Sequence, residues 1–357
     1  MKQTFKKMLS ALLALALVAG FVLVAPPAAR ADHFTDYDTL VGVPNLGDCP
    51  SMQGIAVDDN YIYCSKINTT TETSAVIARI SRTSGSLTWL TNSATGTNYF
   101  SQLAHANDLD VYDINGVKTL FVATGGAGSG DYSIVRFALN GTTATEVGHY
   151  NVKYNGSSTY LASAQVMSVE GDKINLICKR AGYIFTATVG VSQTSGDVTL
   201  KLLCTLNLSQ VVANGAVKDI SGYVQQGFEY YDGRIYVPMT EPDNMVTSVI
   251  VAFDVVGVSG SVRNNPIFTT WITSSTYADL FEIESCAICP SDGKMYFNTN
   301  RRKTSSDANH DGIHTVSGFL YDASYGDATQ TGNYRWDVQN DRLVSVTTDG
   351  AAYNHDL

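Results

Sequence analysis

Short phrases in which polar and apolar positions alternate recur five times along this chain. They open at Gln53-Gly54-Ile55-Ala56-Val57, Asn107-Asp108-Leu109-Asp110-Val111, Gln165-Val166-Met167-Ser168-Val169, Gln226-Gly227-Phe228-Glu229-Tyr230 and Glu284-Ser285-Cys286-Ala287-Ile288. Their first residues stand 54, 58, 61 and 58 positions apart, a period that holds four short strands with their turns. A turn and a second apolar phrase follow each, at 61–65, 119–124, 173–178, 234–239 and 294–299. These phrases are rich in β-branched and aromatic residues and bounded by Gly, Asp and Asn, as strands joined by tight turns are. Third strands are expected at 76–80, 134–137, 184–187, 249–253 and 318–321, and fourth strands at 87–90, 145–152, 198–204 and 268–272. Beyond the first residues, no stretch sustains an apolar period of 3.6. The pattern predicts an all-β chain, a five-bladed β-propeller of four-stranded blades with almost no helix. An unpaired last blade would expose a sheet edge. The ring therefore needs a closing strand, supplied by 37–43 or by 342–348.

Residues 1–31 stand apart from this pattern. Lys2, Lys6 and Lys7 precede an apolar run at 9–24 and the small-residue site Ala29-Arg30-Ala31, the order found in a secretory signal peptide. The expectation is a secreted chain cut near Ala31, leaving residues 32–357 as one domain and a monomer. No second apolar run is long enough to span a bilayer. The leader carries four of the 23 basic residues and none of the 33 acidic ones, so the remainder has 19 basic residues and a net charge of −14. A surface of that sign repels phosphate backbones and argues against nucleic acid as a partner.

Six cysteines in an exported chain permit disulfides, and Cys49 with Cys64 is the pair to test first. Cys286 and Cys289 form a CxxC, but inside a strand those two side chains point to opposite faces.

In a propeller the start of each inner strand and the end of the next share one face. That rule gathers Gln53, His105, Asn107, Gln165, Gln226, Glu282 and Glu284 around the channel mouth, with Lys66, Arg180, Glu241, Asp243, Asn300, Arg301 and Arg302 in loops on the same side. Loops on a rigid scaffold carry most binding and chemistry, so this mouth is the expected site. If the protein is an enzyme, His105, Asp108, Glu282 and Glu284 are the candidate acid–base groups. The ligand-binding candidates are Gln53, Asn107, Gln165, Arg180, Gln226, Glu241, Asn300 and Arg301. The plainer alternative for all of them is a polar lining that holds the blades in register. Asp307-Ala308-Asn309-His310-Asp311-Gly312 matches the first half of a calcium loop, with Asp307, Asn309 and Asp311 as ligands. An Asx-rich turn is the alternative. The Gly-rich run 125–130 lacks the lysine of a phosphate cradle. Twenty tyrosines suit sugar stacking as well as strands.

Three phrases resemble the helveticin J-like proteins, Gram-positive propeller sequences that include class III bacteriocins: Gln226-Gly227-Phe228 with Gly233-Arg234-Ile235-Tyr236-Val237, Phe281-Glu282-Ile283-Glu284-Ser285, and His105-Ala106-Asn107-Asp108-Leu109. The resemblance implies a secreted propeller that binds a glycan or another cell-envelope component, with bacteriocin-like action as one outcome. Two other readings stand beside it: a glycan-cleaving hydrolase or lyase at the same mouth, and a protein-interaction scaffold.

Overall fold

The computed structural model describes residues 37–316 except 69, 73, 126–131, 214, 215, 244, 267 and 275, together with the backbone of five short strands between 320 and 353. The leader expected at 1–31 and most of the Gly-rich run lie outside the described residues. The one helical element described is a single turn at Ser101–Leu103. No helix among the described residues is long and apolar enough to cross a membrane.

The strands form five larger sheets arranged as a β-propeller. After β1 (Tyr37–Gly42), the first sheet runs in order through β2 (Ser51–Val57), β3 (Tyr61–Ile67), β4 (Ala75–Ser81) and β5 (Leu87–Trp89). The second contains β6 (Asp108–Ile114), β7 (Val117–Ala123), β8 (Ile134–Asn140) and the long β9 (Thr143–Tyr154). The third contains β10 (Ser163–Glu170), β11 (Lys173–Arg180), β12 (Tyr183–Gly190) and β13 (Lys201–Leu206). In the fourth, β14 (Glu229–Tyr231) pairs with β15 (Arg234–Thr240), followed by β16 (Thr247–Asp254) and β17 (Thr270–Thr273). The fifth contains β18 (Leu280–Ile288), β19 (Met295–Arg302) and β20 (Gly312–Val316).

Turn chemistry sets the register. Asn115-Gly116 and Asp232-Gly233 hold both central residues at positive φ, the backbone of a two-residue hairpin whose twist matches the strands it joins. The pairs Ile114↔Val117 and Tyr231↔Arg234 follow directly. Middle strands are covered on both faces, and every residue of β15 is buried. Such strands read as continuous apolar runs rather than strict alternation.

Between successive sheets lie apolar clusters. Ala56, Tyr63 and Ile77 of the first sheet pack with Leu109, Leu120 and Val122 of the second. Met52, Ile55 and Ile62 pack on their other side with Ala287, Tyr296 and Ile313 of the fifth. Each large aliphatic or aromatic side chain so buried contributes roughly 1.5–3 kcal/mol.

Three local outcomes differ from the sequence pattern or decide between its options. The last sheet is completed by β1, antiparallel to β20 from Tyr37↔Val316 to Gly42↔Gly312, while Arg342–Val346 pairs with Tyr334–Asp337 instead. The third strand of the last unit is β20 rather than 318–321, because Gly312–Val316 is what pairs with β19. Within 198–204 the chain breaks into two strands. Ser195–Thr199 runs parallel to β9 of the second sheet, and β13 pairs with β12.

All six cysteines are buried free thiols, so the expected Cys49–Cys64 bridge is not formed. Cys49 Sγ donates to the Ser74 carbonyl at 3.5 Å. Burial pushes the Cys64 thiol up to about 12.

Candidate functional site at the channel mouth

The inner strands of neighbouring sheets are stitched by polar groups at their starts. The backbone N–H of Gly54 donates to Ala106 O at 3.4 Å, and Asn107 Nδ2 donates to Ala162 O at 2.8 Å. Gln165 Nε2 donates to Phe228 O, and Gly227 N donates to Glu284 O at 2.9 Å. Asn300 Oδ1 accepts from Met52 N at 2.8 Å. Each sheet is thereby tied to the next by a hydrogen bond that satisfies a backbone group at the seam.

Asp108 forms the hub of this arrangement, beneath the mouth and sealed from solvent. It accepts from Ser285 Oγ at 2.8 Å and from Gln165 Nε2 at 3.5 Å. A Cβ at Gly227 would stand 2.7 Å from Asp108 Oδ1 and 2.4 Å from Ser285 Oγ, so only glycine lets that strand approach. A Cβ at Gly54 would likewise stand 2.7 Å from the Asp108 backbone. Side chains of the third and fifth sheets thus meet on one carboxyl, while the first sheet packs on its backbone.

The sequence reading missed the company Asp108 keeps. Asp110, two residues on, accepts from Val166 N at 2.6 Å. Glu229 and Lys179 are buried nearby, and the Lys179 Nζ makes no hydrogen bond. Burial pushes the Asp108 carboxyl up to about 8, against the opposing pull of Ser285 and Lys179. Burial likewise takes Asp110 to about 6 and holds Glu229 well above the usual carboxylate range. Burial lowers Lys179 to about 8, with Asp108 pulling the other way. These are desolvated groups that favour their neutral forms. The period-two spacing of Asp108 and Asp110 was the one signal in the sequence, since it sets both side chains on one face.

At the mouth itself, Glu282 is half-buried and Glu284 is buried, and each carboxyl affects the ionisation of the other. Gln226 Nε2 donates to Glu282 Oε1 at 2.7 Å, and Asn300 Nδ2 donates to Glu284 Oε1. Burial first, and then the neighbouring Glu282, holds Glu284 well above its ordinary value. Burial also raises Glu282, opposed by Gln226, Glu284 and His105. Neighbouring carboxyls cannot both ionise cheaply, so the charge of one favours the neutral form of the other.

His105 stands on the same rim, with Nδ1 3.1 Å from Glu72 Oε1. Its flanking residues, Ala104 and Ala106, have φ of 47° and 44°, a left-handed backbone that costs alanine about 1–3 kcal/mol each. Packing sustains that strain: Ala106 is buried and its carbonyl accepts from Ser65 Oγ at 2.9 Å.

The remaining candidates divide by role. Gln53 lies buried with its Oε1 unpartnered. Arg180 Nη1 donates to Thr159 Oγ1 at 2.5 Å. Glu241 anchors its loop through backbone bonds to Thr247 and Met245. Arg301 Nε donates to His310 O at 2.5 Å, and Nη1 to Thr39 Oγ1 at 3.2 Å. Of the residues read as calcium ligands, Asp311 is turned to Lys66 Nζ at 2.8 Å. Asp307 faces His310 Nε2 at 2.9 Å, and Asn309 stands in the loop between them. Gly312, read as the loop glycine, begins β20. Among the described residues no group of three or more His, Cys, Asp or Glu side chains is disposed to hold a metal ion.

No protein-family model matches the sequence, and no curated protein matches it. Solved structures similar in overall shape include the GH43_1 enzyme from Xanthomonas citri complexed with xylotriose, at 10% identity and a TM-score of 0.46, covering 90% of this chain and 93% of that one. The tail fiber of Staphylococcus aureus phage P68 is similar at 11% identity and a TM-score of 0.48, over 88% of this chain and 59% of that one. The RS223 beta-xylosidase is similar at 10% identity and a TM-score of 0.45, over 90% of this chain and 98% of that one.

Proposed function

We propose that this chain is an exported, monomeric, single-domain propeller of five blades that cleaves a glycan at its channel mouth. The observation that carries the chemistry is the neighbouring pair Glu282 and Glu284 at the edge of solvent, the first held by Gln226 and the second by Asn300. Glycosidic bond cleavage needs a carboxyl that keeps its proton near neutral pH, which burial supplies. Glu282 is the member within reach of solvent, aimed by Gln226, and Glu284 is its buried neighbour.

Two carboxyls that oppose each other's ionisation do not divide into a separate acid and base. The pair therefore acts as one acid, and the base is sought elsewhere on the rim. His105, held by Glu72, is that base. In this scheme the proton of Glu282 passes to the leaving glycosidic oxygen as its bond to the anomeric carbon breaks. Water forms the new bond to that carbon and gives its proton to His105.

A second reading, glycan binding without turnover, is favoured by the exposed rings of Tyr160 and Tyr183. Asn107, Gln165 and Asn300 spend their amides on hydrogen bonds that join sheets, which holds such a surface rigid. Bacteriocin-like action on a cell envelope would follow from binding of this kind.

The test is to incubate residues 32–357 with cell-wall and plant polysaccharides and to follow retention and released products by mass spectrometry. Oligosaccharides carrying one added water, lost in Glu282→Gln, support hydrolysis. Retention without products leaves the binding reading, and neither retention nor products overturns both.

A further inference from the structure

On the rim between the second and third sheets, an arginine neighbours two exposed tyrosines. Arg180 ends β11 and Tyr183 begins β12, and the two are paired across the hairpin. The ring centroid of Tyr160 lies 4.6 Å from the Arg180 guanidinium carbon. Tyr160 is 38% exposed and Tyr183 51%, high values for rings that large, whereas the rings beneath them are packed. Phe185 lies 6.4 Å from Tyr183 in a stacked arrangement and 5.1 Å from Tyr154 edge-on. The ledge is thus firm below and open above.

The charge on this ledge is not neutralised. Arg82, Arg234 and Arg302 are each held by an aspartate, but Arg180 has no carboxylate within salt-bridge distance among the described residues. Its side-chain hydrogen bond to Thr159 occupies one terminal nitrogen. On a chain with ten more acidic than basic residues, a half-buried guanidinium beside an aromatic face is a local positive site suited to a ring ligand that carries a carboxylate. A sugar ring offers axial C–H groups to tyrosine, and a ring carboxylate offers the geometry that guanidinium binds in fork fashion.

We infer that Tyr160, Arg180 and Tyr183 form a subsite for an acidic sugar, so that the glycan recognised at this mouth contains uronate residues. This rests on the glycan reading above and narrows it to one substrate class. Tyr160 precedes β10 and Arg180 ends β11, so the ledge opens on the same face as Glu282, and a chain of sugars can lie across both.

The test uses oligogalacturonate and oligoalginate, each against its methyl-esterified form, which keeps the sugar and removes the charge. Calorimetry at low salt should give about tenfold tighter binding of at least one free acid over its ester. Arg180→Gln should erase that preference with an unchanged thermal midpoint, while Tyr183→Ala should weaken acid and ester alike. Equal binding of acid and ester, or a preference that survives Arg180→Gln, overturns the subsite. Cleavage of neutral polysaccharides with no affinity for either acid overturns it while leaving the glycan reading intact. Binding of no glycan at all removes both.

Discussion

The hydroxyl of Ser285 donates a 2.8 Å hydrogen bond to Asp108 across 177 residues of sequence. Both groups are sealed from water, so removing one leaves the other unsatisfied. Ser285→Ala should lower the unfolding free energy by about 1–3 kcal/mol in urea titration. Gly227→Ala, whose new Cβ would collide with both partners, should cost at least as much. Wild-type stability in Gly227→Ala would refute the close approach.

Stability should fall as pH rises through the range in which Asp108 and Asp110 lose their protons. Their folded values, about 8 and about 6, lie above the ordinary 3.8. The folded state holds these protons after the unfolded chain has released them, so their contribution is complete only below the unfolded value. His314 has the opposite sign. Burial, then Arg301, pushes the ring well below its ordinary 6.5, so its contribution is present above that value and is lost as pH falls below it. Asp108→Asn should therefore shrink the drop in thermal midpoint between about pH 5 and about pH 8. An unchanged drop in the variant would assign the titration to other groups.

Lys66 spends its ammonium on Val43 O, Asn45 Oδ1 and Asp311 Oδ2, at 3.2, 2.7 and 2.8 Å. Lys66→Met strands a buried carboxylate and should cost about 3–5 kcal/mol. Adding Asp311→Asn should recover much of that loss, measured as a double-mutant cycle. If the two losses simply add, the pair is not coupled.

Six free thiols, all buried, should resist alkylation in the folded protein and react fully once it is denatured. Mass spectrometry should count six labels after denaturation without reductant. Four labels would mean that one bridge forms.

Gln226 stabilises the charged form of Glu282 by donating to it. If Glu282 is the acid, activity declines as it ionises, and Gln226→Leu should move that decline to higher pH. Glu282→Gln should cost about 10²–10⁴ in rate. A decline that stays in place in Gln226→Leu would shift the acid role to another group.

Repeated strands were readable because each has its own turn and its own apolar face, as at 61–65 and 234–239. The last unit was misread at Gly312–Val316. His314 sits on its buried face, where Thr39 and Thr299 satisfy both ring nitrogens, so a polar residue broke the apolar pattern. The mouth was legible as a rule about strand ends, which brought Glu282, Glu284 and His105 to one rim. Depth was not legible. Nothing in the order of residues says that Asp108 is sealed from solvent against Ser285, or that Lys66 meets Asp311 across 245 positions.

The pairing of β1 with β20 also fixes an order of events during synthesis. Thr39 and His314 meet across 275 residues, so the strand that emerges first waits for the one that emerges nearly last. Until then both ends of the growing chain present open backbone edges, which favour pairing with other chains. A fold closed in this way has high contact order and forms slowly. A chain truncated before Gly312 should accumulate as aggregate rather than as a smaller version of the same protein.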